Sequence, residues 1–272
     1  MKTPFGLSSP LHVSVGDQKA RKTTRKLVCR ISERHFPQGS FFSLSRDFII
    51  SCPELCFVQM ANLLSLIELI KLGFELCGGY RLSHDVDGNG FRTAPPLTDH
   101  AKLTAYVMAV AGLKGCEKAR RALQYIADGA ASPMETVVTM LLSLPYRMGG
   151  YGFSLSSLNH PIRVGGGNGI CPVDYRADLF WPEVKVDIEY DSDSFHTGSR
   201  RIAKDAIRRN KLSSVGVTVL TVSRMQVGSA VGFHEVALVL AGILRKRIAP
   251  PLPGFYKARA ALRRQLLPGT AG

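Results

Sequence analysis

The amino-acid sequence predicts an α/β (α+β) fold in which a mixed sheet flanked by helices follows a mostly helical N-terminal domain. Three observations support this prediction. The hydrophobic fraction of 45% over 272 residues is enough to form a buried core. Apolar residues recur at helical spacing over much of the first 130 residues. From residue 174 onward, apolar and polar residues alternate in short runs, which is typical of strands.

The N-terminal half is expected to begin with a strand and to continue as helices. Residues 40–51, SFFSLSRDFIIS, have strand character. Ser51 stands three residues before Glu54, which is capping-box spacing, and this predicts a helix over residues 51–71 that ends at Gly73. Two further helices are predicted, over residues 98–111 and 117–127.

From about residue 130 the predicted order of elements is helix, β-hairpin, helix, strand and helix. Ser132 is the expected N-cap of the first helix, with Pro133 as its first residue and Glu135 as its third; Pro145 ends it. Residues 173–192, VDYRADLFWPEVKVDIEYDS, predict two strands joined by a tight turn near Pro182-Glu183.

A basic helix and a short apolar strand are predicted after the hairpin. In SRRIAKDAIRRNKLSSVG the expected buried stripe is Ile202, Ala203, Ala206 and Ile207. The strand VTVLTV follows, and a strand, a helix and a second strand in this order indicate a crossover that makes the two strands parallel. FHEVALVLAGILRKR is the last predicted helix.

Three segments are predicted on these grounds. The boundary between the first two lies in DGAAS, residues 128–132. Residues 1–129 would form the mostly helical N-terminal domain. Residues 130–250 would form the α/β domain, and residues 251–272 a basic C-terminal tail.

The formal net charge of +14 is concentrated in three stretches of the chain. Residues 1–30 carry a net +6, residues 199–212 a net +5, and residues 241–272 a net +7 with no acidic residue. A basic surface arranged in stripes suits a polyanionic partner, although a solvated basic surface is the alternative for the two ends. DNA is the expected partner, and charge alone does not distinguish it from RNA or an anionic membrane.

Neither a membrane-spanning segment nor a secretion signal is predicted. No uninterrupted apolar run approaches the length of about 18 residues that a membrane span needs, and the first residues lack a signal-peptide core. The six cysteines show no zinc-site spacing and are expected to be free thiols. The expected location is therefore cytoplasmic.

Acidic residues alternate with apolar residues in VKVDIEYDSDSFH, residues 184–196. Asp187, Glu189 and Asp191 share one face of the predicted strand, and pairing across the hairpin would bring Asp178 close to them. Asp187 itself is expected to be solvated or paired with Arg176 or Lys185. Carboxylates that converge from adjacent strands form the oxygen-rich ligand set that Mg²⁺ prefers. A metal held there can activate a water toward a phosphodiester.

These segments resemble a known nuclease family. SPMET, ADLFWPEVKVDIEYDSDSFH and KDAIRRNKLSSVGVTVLTVS are similar in order and spacing to the very-short-patch-repair-endonuclease-like branch of the PD-(D/E)XK nuclease superfamily, which is found in many bacteria. The resemblance covers residues 130–247 and implies a restriction-endonuclease-like mixed sheet. The N-terminal segment IISCPELCFVQMANLLSLIELIKLGFELCGGY is similar to segments of abortive-infection-type antitoxin and regulator proteins. This similarity implies a DNA-positioning or regulatory role for residues 1–129.

The resemblance implies a role for each residue that matches the family pattern. The catalytic set would be Glu135, Asp178, Glu189, Asp191 and His196, and the metal ligands would be Asp178, Glu189 and Asp191. Asp205 and Arg208 match the helical Asp-x-x-Arg, with Asp205 and Lys185 supporting the site. The side chains expected to hold phosphates are Arg200, Arg201, Lys204, Arg208, Arg209 and Lys211.

Two departures from the pattern affect the expected mechanism. Asp191 stands where the superfamily more often has lysine, so that Asp191 would bind metal and His196 or Lys185 would handle protons. Ser192 replaces the usual glycine. The expected activity is Mg²⁺- or Mn²⁺-dependent hydrolysis of DNA. The alternatives are a non-catalytic DNA-binding regulator or antitoxin that keeps the fold, and a nuclease acting on RNA. A homodimer or a toxin–antitoxin partner, the recognised sequence and the pathway stay open.

Overall fold

The structure is a computed structural model that describes residues 10–31, 36–46, 48–83, 90–165, 172–191, 199–248 and 254–267, without the side chains of residues 30–31 and 199–204. The chain divides into two compact units, Met1–Ile50 and Ser51–Gly272. The mixed α/β fold predicted from the sequence is confirmed. No helix within the described ranges is long and apolar enough to cross a membrane.

The described part of the first fifty residues forms strands. The strands are β1 (Leu11–Val15), β2 (Leu27–Ile31), β3 (Phe41–Ser45) and β4 (Phe48–Ser51). β1 and β2 pair in parallel, and β3 and β4 form a separate two-stranded sheet. The strand character predicted for residues 40–51 is therefore confirmed. Apolar side chains of this second sheet are exposed, with Ile49 71% exposed.

The next elements are helices and a short hairpin. They are α1 (Pro53–Met60), α2 (Leu66–Cys77), β5 (Tyr80–Leu82), β6 (Phe91–Thr93), α3 (His100–Ala109) and α4 (Cys116–Leu123). The single helix predicted over residues 51–71 is wrong, because Ser65 starts α2 with its own capping box to Glu68. The N-cap of α1 is Cys52 rather than Ser51. Gly73 does not end the helix; a Cβ there would meet the Ile126 side chain at 2.2 Å.

The second half contains a four-stranded mixed sheet. Its strands are β7 (Ser157–Val164), β8 (Val173–Trp181), β9 (Val186–Asp191) and β10 (Thr218–Ser223), in the order β10-β9-β8-β7. β9 pairs in parallel with β10 and antiparallel with β8, and β8 pairs antiparallel with β7. The predicted hairpin and the parallel crossover are confirmed. β7 was not predicted.

The helices of this half are α5 (Pro133–Ser143), α6 (Ser199–Ser214), α7 (Arg224–Gly228), α8 (Ala230–Ile243) and α9 (Phe255–Leu266). α5 contacts β8, α6 contacts β7 and β10, and α7 contacts β10. The start predicted for α5 is confirmed, since the Ser132 hydroxyl accepts the Glu135 N–H at 3.2 Å. The segment predicted as a basic tail contains α9, whose Leu262 and Leu266 are buried.

The buried stripe predicted for α6 is wrong where the structure describes it. Ala206 is exposed, and Ile207 is 55% exposed. Leu212 is fully buried instead and packs with Phe180 and Val217 on one face of the sheet. The buried side of α6 is the side that packs against the sheet, and the spacing of apolar residues within the helix does not reveal which side that is.

The other face of the sheet belongs to the large hydrophobic core. Leu179, Trp181, Val186 and Ile188 lie in this cluster, which extends along the chain from Phe57 to Leu267. The boundary predicted at residues 128–132 falls inside it, where the Gly79 N–H donates to the Ala130 carbonyl at 2.7 Å. The division into domains 1–129, 130–250 and 251–272 stays a prediction.

Candidate functional site

The predicted acidic residues line one pocket of about 330 Å³ between the sheet and α6. Its lining residues are Asp178, Glu189, Tyr190, Asp191, Asp205, Arg208, Arg209 and Thr221. Three strands and one helix contribute to it. All of the lining residues except Tyr190 and Thr221 were predicted from the sequence as residues of the site. The structure thus brings four predicted carboxylates together with two predicted basic residues.

Asp178 reaches the pocket because the β8–β9 ladder ends beside it. The paired residues run from Trp181↔Val186 to Leu179↔Ile188. Continuing the same register would place Asp178 opposite Glu189, one position beyond the end of the ladder. There the Asp178 Oδ2 atom accepts the Tyr190 N–H at 3.1 Å. Burial raises the pKa of the Asp178 carboxyl, and this hydrogen bond and the Arg208 charge oppose the rise.

Glu189 forms an ion pair with Arg208 across the pocket. The Arg208 Nη2 atom lies 2.5 Å from Glu189 Oε1 and also donates to the Arg176 carbonyl at 2.6 Å. The guanidinium lies over the Tyr175 ring at 5.9 Å from its centroid. Burial raises the pKa of Glu189, while Arg208 lowers it. Arg208, expected to hold phosphate, here neutralises a carboxylate.

Asp187 differs from its prediction. It is 0% exposed and makes no ion pair, and neither carboxylate oxygen has a hydrogen-bond partner among the described residues. Phe180, which lies opposite Asp187 in the β8–β9 register, packs with Leu212 and Val217, so this face of the sheet is covered. Burial, with the negative charges of Glu189 and Asp178, raises the pKa of Asp187 to about 8. The expected partner Lys185 lies in the hairpin turn and donates to the Val215 carbonyl at 3.2 Å.

Glu135 is buried behind the pocket and does not line it. It is 7% exposed, and its carboxylate accepts hydrogen bonds from the Ala131 N–H at 2.8 Å, the Ser132 hydroxyl at 3.0 Å and the Asn159 amide at 2.8 Å. Burial raises its pKa to about 7, with a further contribution from the Asp178 charge. Glu135 is therefore both the capping residue expected from the sequence and an electrostatic neighbour of Asp178.

Several predicted residues are described only in part. His196 lies outside the described residues. Arg200, Arg201 and Lys204 lie in α6, but their side chains are not described. Of the remaining predicted residues on α6, Asp205, Arg209 and Lys211 are exposed, and Asp205 and Arg209 line the pocket.

Two residues at or near the pocket, Thr221 and Asn159, were not predicted from the sequence. Thr221 follows from the parallel register, because it lies beside Glu189 on β10. Asn159, which donates to Glu135, lies on the strand that was not predicted. The sequence around it, Asn-His-Pro, favours a turn rather than a strand, so it does not indicate a residue on a sheet.

The carboxylate oxygens that line the pocket are suitable ligands for a divalent cation that takes only one or two of its ligands from the protein. Within the described part of the chain, no group of three or more His, Cys, Asp or Glu side chains is arranged to hold a metal ion. Mg²⁺ is often held by one or two carboxylates, with water and substrate completing its shell. Asp178 and Glu189 line one pocket, and the raised pKa values of both reflect burial that an added cation would offset.

Comparison with known proteins identifies two similar proteins, both described as uncharacterized. No family model and no solved structure matches the chain. It is similar to Uncharacterized protein MT2308 from Mycobacterium tuberculosis (strain CDC 1551 / Oshkosh) and to Uncharacterized protein Rv2248 from Mycobacterium tuberculosis (strain ATCC 25618 / H37Rv). Each is 29% identical over 111 residues, which cover 41% of this chain and 37% of the relative. The match therefore spans little more than a third of the relatives' length.

Proposed function

We propose that this chain is a metal-dependent endonuclease of the PD-(D/E)XK type that hydrolyses phosphodiester bonds of DNA. The observation that carries the proposal is the pocket in which Asp178, Glu189 and Asp191 meet Arg208 and Arg209. Carboxylates that hold a cation beside basic groups that hold phosphate are the two parts that hydrolysis of a phosphodiester requires. The basic charge of the chain favours the same class of substrate.

Five residues of the pocket have a role in this proposal. Asp178 and Glu189, with Asp191 as a third candidate ligand, would hold Mg²⁺ or Mn²⁺, and the bound ion would polarise a phosphoryl oxygen and lower the pKa of a water. Arg209, on the exposed side of α6, contacts the phosphate backbone. Arg208 competes with the cation for Glu189, so binding of the cation would free the guanidinium for a phosphate.

The remaining parts of the proposal lie outside the pocket. His196 is proposed as the acid or base that moves a proton. Arg200, Arg201, Lys204 and Lys211 are proposed to extend the phosphate contact along α6. Glu135 is proposed to act behind Asp178, since three hydrogen bonds hold its carboxylate there. A cytoplasmic location and DNA rather than RNA as substrate belong to the proposal as well.

A second candidate function is a DNA-binding regulator or antitoxin that has kept the fold without the chemistry. The Arg208–Glu189 ion pair favours it, because this pair neutralises one of the carboxylates without any cation. A binding protein needs the basic face of α6 but does not need Asp178. Substitution of the acids therefore separates the two functions.

The test is nicking of supercoiled plasmid DNA in Mg²⁺ or Mn²⁺ by the wild type, Asp178→Asn and Glu189→Gln. Asp174→Asn is the matched control, because Asp174 is an exposed acid on the same strand, paired only distantly with Arg163 at 3.9 Å. Single-stranded DNA, mismatched DNA and a structured RNA are tested in parallel. Circular dichroism and thermal unfolding confirm that each variant folds.

The proposal expects metal-dependent nicking by the wild type and by Asp174→Asn, and a loss of at least about 100-fold in the two pocket variants. DNA binding with a steep salt dependence, unchanged by the acid variants and without any cleavage, would instead support the regulator. Cleavage of RNA alone would keep the pocket and change the substrate.

A further inference from the structure

Asn159 interrupts the β7–β8 ladder at the position opposite Asp178. Pairing is recorded for Leu158↔Leu179 and for His160↔Ala177, so the register places Asn159 against Asp178, where no pair forms. The backbone of Asn159 has a φ of 49°, in the left-handed region that few residues other than glycine adopt. Asparagine tolerates this region better than most residues. The irregularity in β7 therefore lies beside a residue of the pocket.

The Asn159 side chain connects this irregularity to Glu135. Its Nδ2 atom donates to Glu135 Oε2 and to the Gly129 carbonyl, each at 2.8 Å. Both partners are acceptors, so only the amide nitrogen can face them. One side chain thus joins α5, the loop before it and β7.

The loop before α5 packs closely against β7. Gly129 has a φ of 91°, and a Cβ at this position would meet the Leu158 carbonyl oxygen at 3.1 Å. The loop therefore lies directly against β7, next to Asn159. Loss of the amide would leave the Glu135 carboxylate with two of its three donors, those from Ala131 and Ser132.

We propose that Asn159 is a positioning residue that holds the Glu135 carboxylate behind Asp178 and keeps Asp178 out of the β7–β8 ladder. It acts through these two carboxylates and does not contact the substrate. Its effect on cleavage rests on the proposed function, whereas its effect on Glu135 does not. The Asp178 charge already contributes to the raised pKa of Glu135, which supports the closeness of the two groups.

Two substitutions separate the backbone of Asn159 from its amide. Asn159→Gly keeps the positive φ at no steric cost and removes the amide. Asn159→Asp keeps the shape and places a charged acceptor against Glu135. Asn62→Ala is the matched control, because the Asn62 amide also joins two segments, through the Lys114 carbonyl at 2.8 Å, but does not line the pocket.

Three measurements are made on the full chain: the titration of the Glu135 carboxyl by NMR with ¹³C-labelled glutamate, Mn²⁺ affinity by electron paramagnetic resonance, and kcat and KM for DNA cleavage. The expected result is a higher Glu135 pKa in both variants, more so in Asn159→Asp. Mn²⁺ affinity or kcat is expected to fall about 10- to 100-fold, as for supporting residues of other metal sites, with KM little changed. Asn62→Ala should match the wild type in all three.

The inference and the proposed function fail in different ways. An unchanged Glu135 titration in both folded variants overturns the role of Asn159, whatever happens to cleavage. A shifted titration with wild-type kcat and Mn²⁺ affinity also overturns it, because the positioning would then have no effect on the site. If the wild type neither binds Mn²⁺ nor cuts any substrate, the proposed function is wrong, and the Glu135 titration alone decides whether Asn159 positions that carboxylate.

Discussion

Asp187 is an ionisable residue at a position where a central strand normally carries an apolar one. It lies opposite Phe180 in the β8–β9 register and beside Val219 on β10, and it is 0% exposed. A carboxylate without hydrogen-bond partners is costly to bury, so its neutral form is favoured in the folded protein. With a pKa of about 8, Asp187 is mainly protonated at neutral pH. At neutral pH Asp187 therefore adds little negative charge beside Glu189 and Asp178.

The burial of Asp187 predicts that stability falls as the pH rises. The unfolded chain releases this proton near pH 3.8 and the folded chain only near pH 8, so the folded state binds more protons between these values. The free energy of unfolding should therefore decrease from about pH 4 to pH 8. Asp187→Asn has no proton to lose there, and its stability should depend less on pH. Urea unfolding at pH 5, 6, 7 and 8 measures both slopes.

A second buried acid, Glu135, should keep the stability of Asp187→Asn dependent on pH. The pKa of Glu135 is raised from 4.5 to about 7, so its ionisation also lowers the free energy of unfolding as the pH rises between these two values. A smaller slope should therefore remain in Asp187→Asn. The exposed residue Asp174 provides the control, since Asp174→Asn should keep the wild-type slope. Identical slopes for wild type and Asp187→Asn would show that Asp187 ionises normally in the folded protein.

The pocket residues could be predicted from the sequence where the information is local. Asp178, Glu189 and Asp191 follow from their spacing on two strands joined by a short turn. The burial of Asp187 could not be predicted in this way, because it depends on Leu212 and Val217, which come later in the chain and cover that face. The ion pair between Glu189 and Arg208 likewise depends on how α6 crosses the sheet.

Among the elements, those with strong local signals were predicted and those without were missed. α5 has a serine cap, a proline and an acidic third residue, and its start was predicted correctly. The break between α1 and α2 was missed because an apolar pattern continues through residues 61–65, and Ser65 carries the second cap. β7 was missed because Pro161 and the left-handed Asn159 lie within it.

Helix α6 allows a direct test of which side is packed. Leu212 is fully buried, so Leu212→Ala should lower the free energy of unfolding by about 2–5 kcal/mol. Ile207 is 55% exposed, so Ile207→Ala should change it by less than about 0.5 kcal/mol. Urea unfolding of the two variants beside the wild type gives both values. A loss at Ile207 as large as that at Leu212 would mean that the apolar stripe predicted from the sequence is the buried one after all.

At the scale of the whole molecule, one hydrophobic core joins parts of the chain that the sequence analysis had separated. Phe57 and Phe74 come from the helices that precede the sheet, and Leu262 and Leu266 come from α9. They share a cluster with Leu179 and Ile188 of the sheet. α9 also satisfies the end of α7, since Arg263 donates to the Gly228 carbonyl at 2.7 Å. The α/β half therefore shares its large core with segments that come before it and after it in the chain.

This shared core predicts how fragments of the chain behave. A fragment of residues 130–250 lacks both the early helices and α9, so it would expose apolar surface that is buried in the full chain, and it should not unfold cooperatively. A fragment of residues 51–272 keeps the core whole and should unfold in one transition. Urea unfolding followed by tryptophan fluorescence is a suitable measurement, because Trp181 is 2% exposed and lies in the cluster. Cooperative unfolding of residues 130–250 would show instead that the α/β half is an independent domain, as its sequence alone predicts.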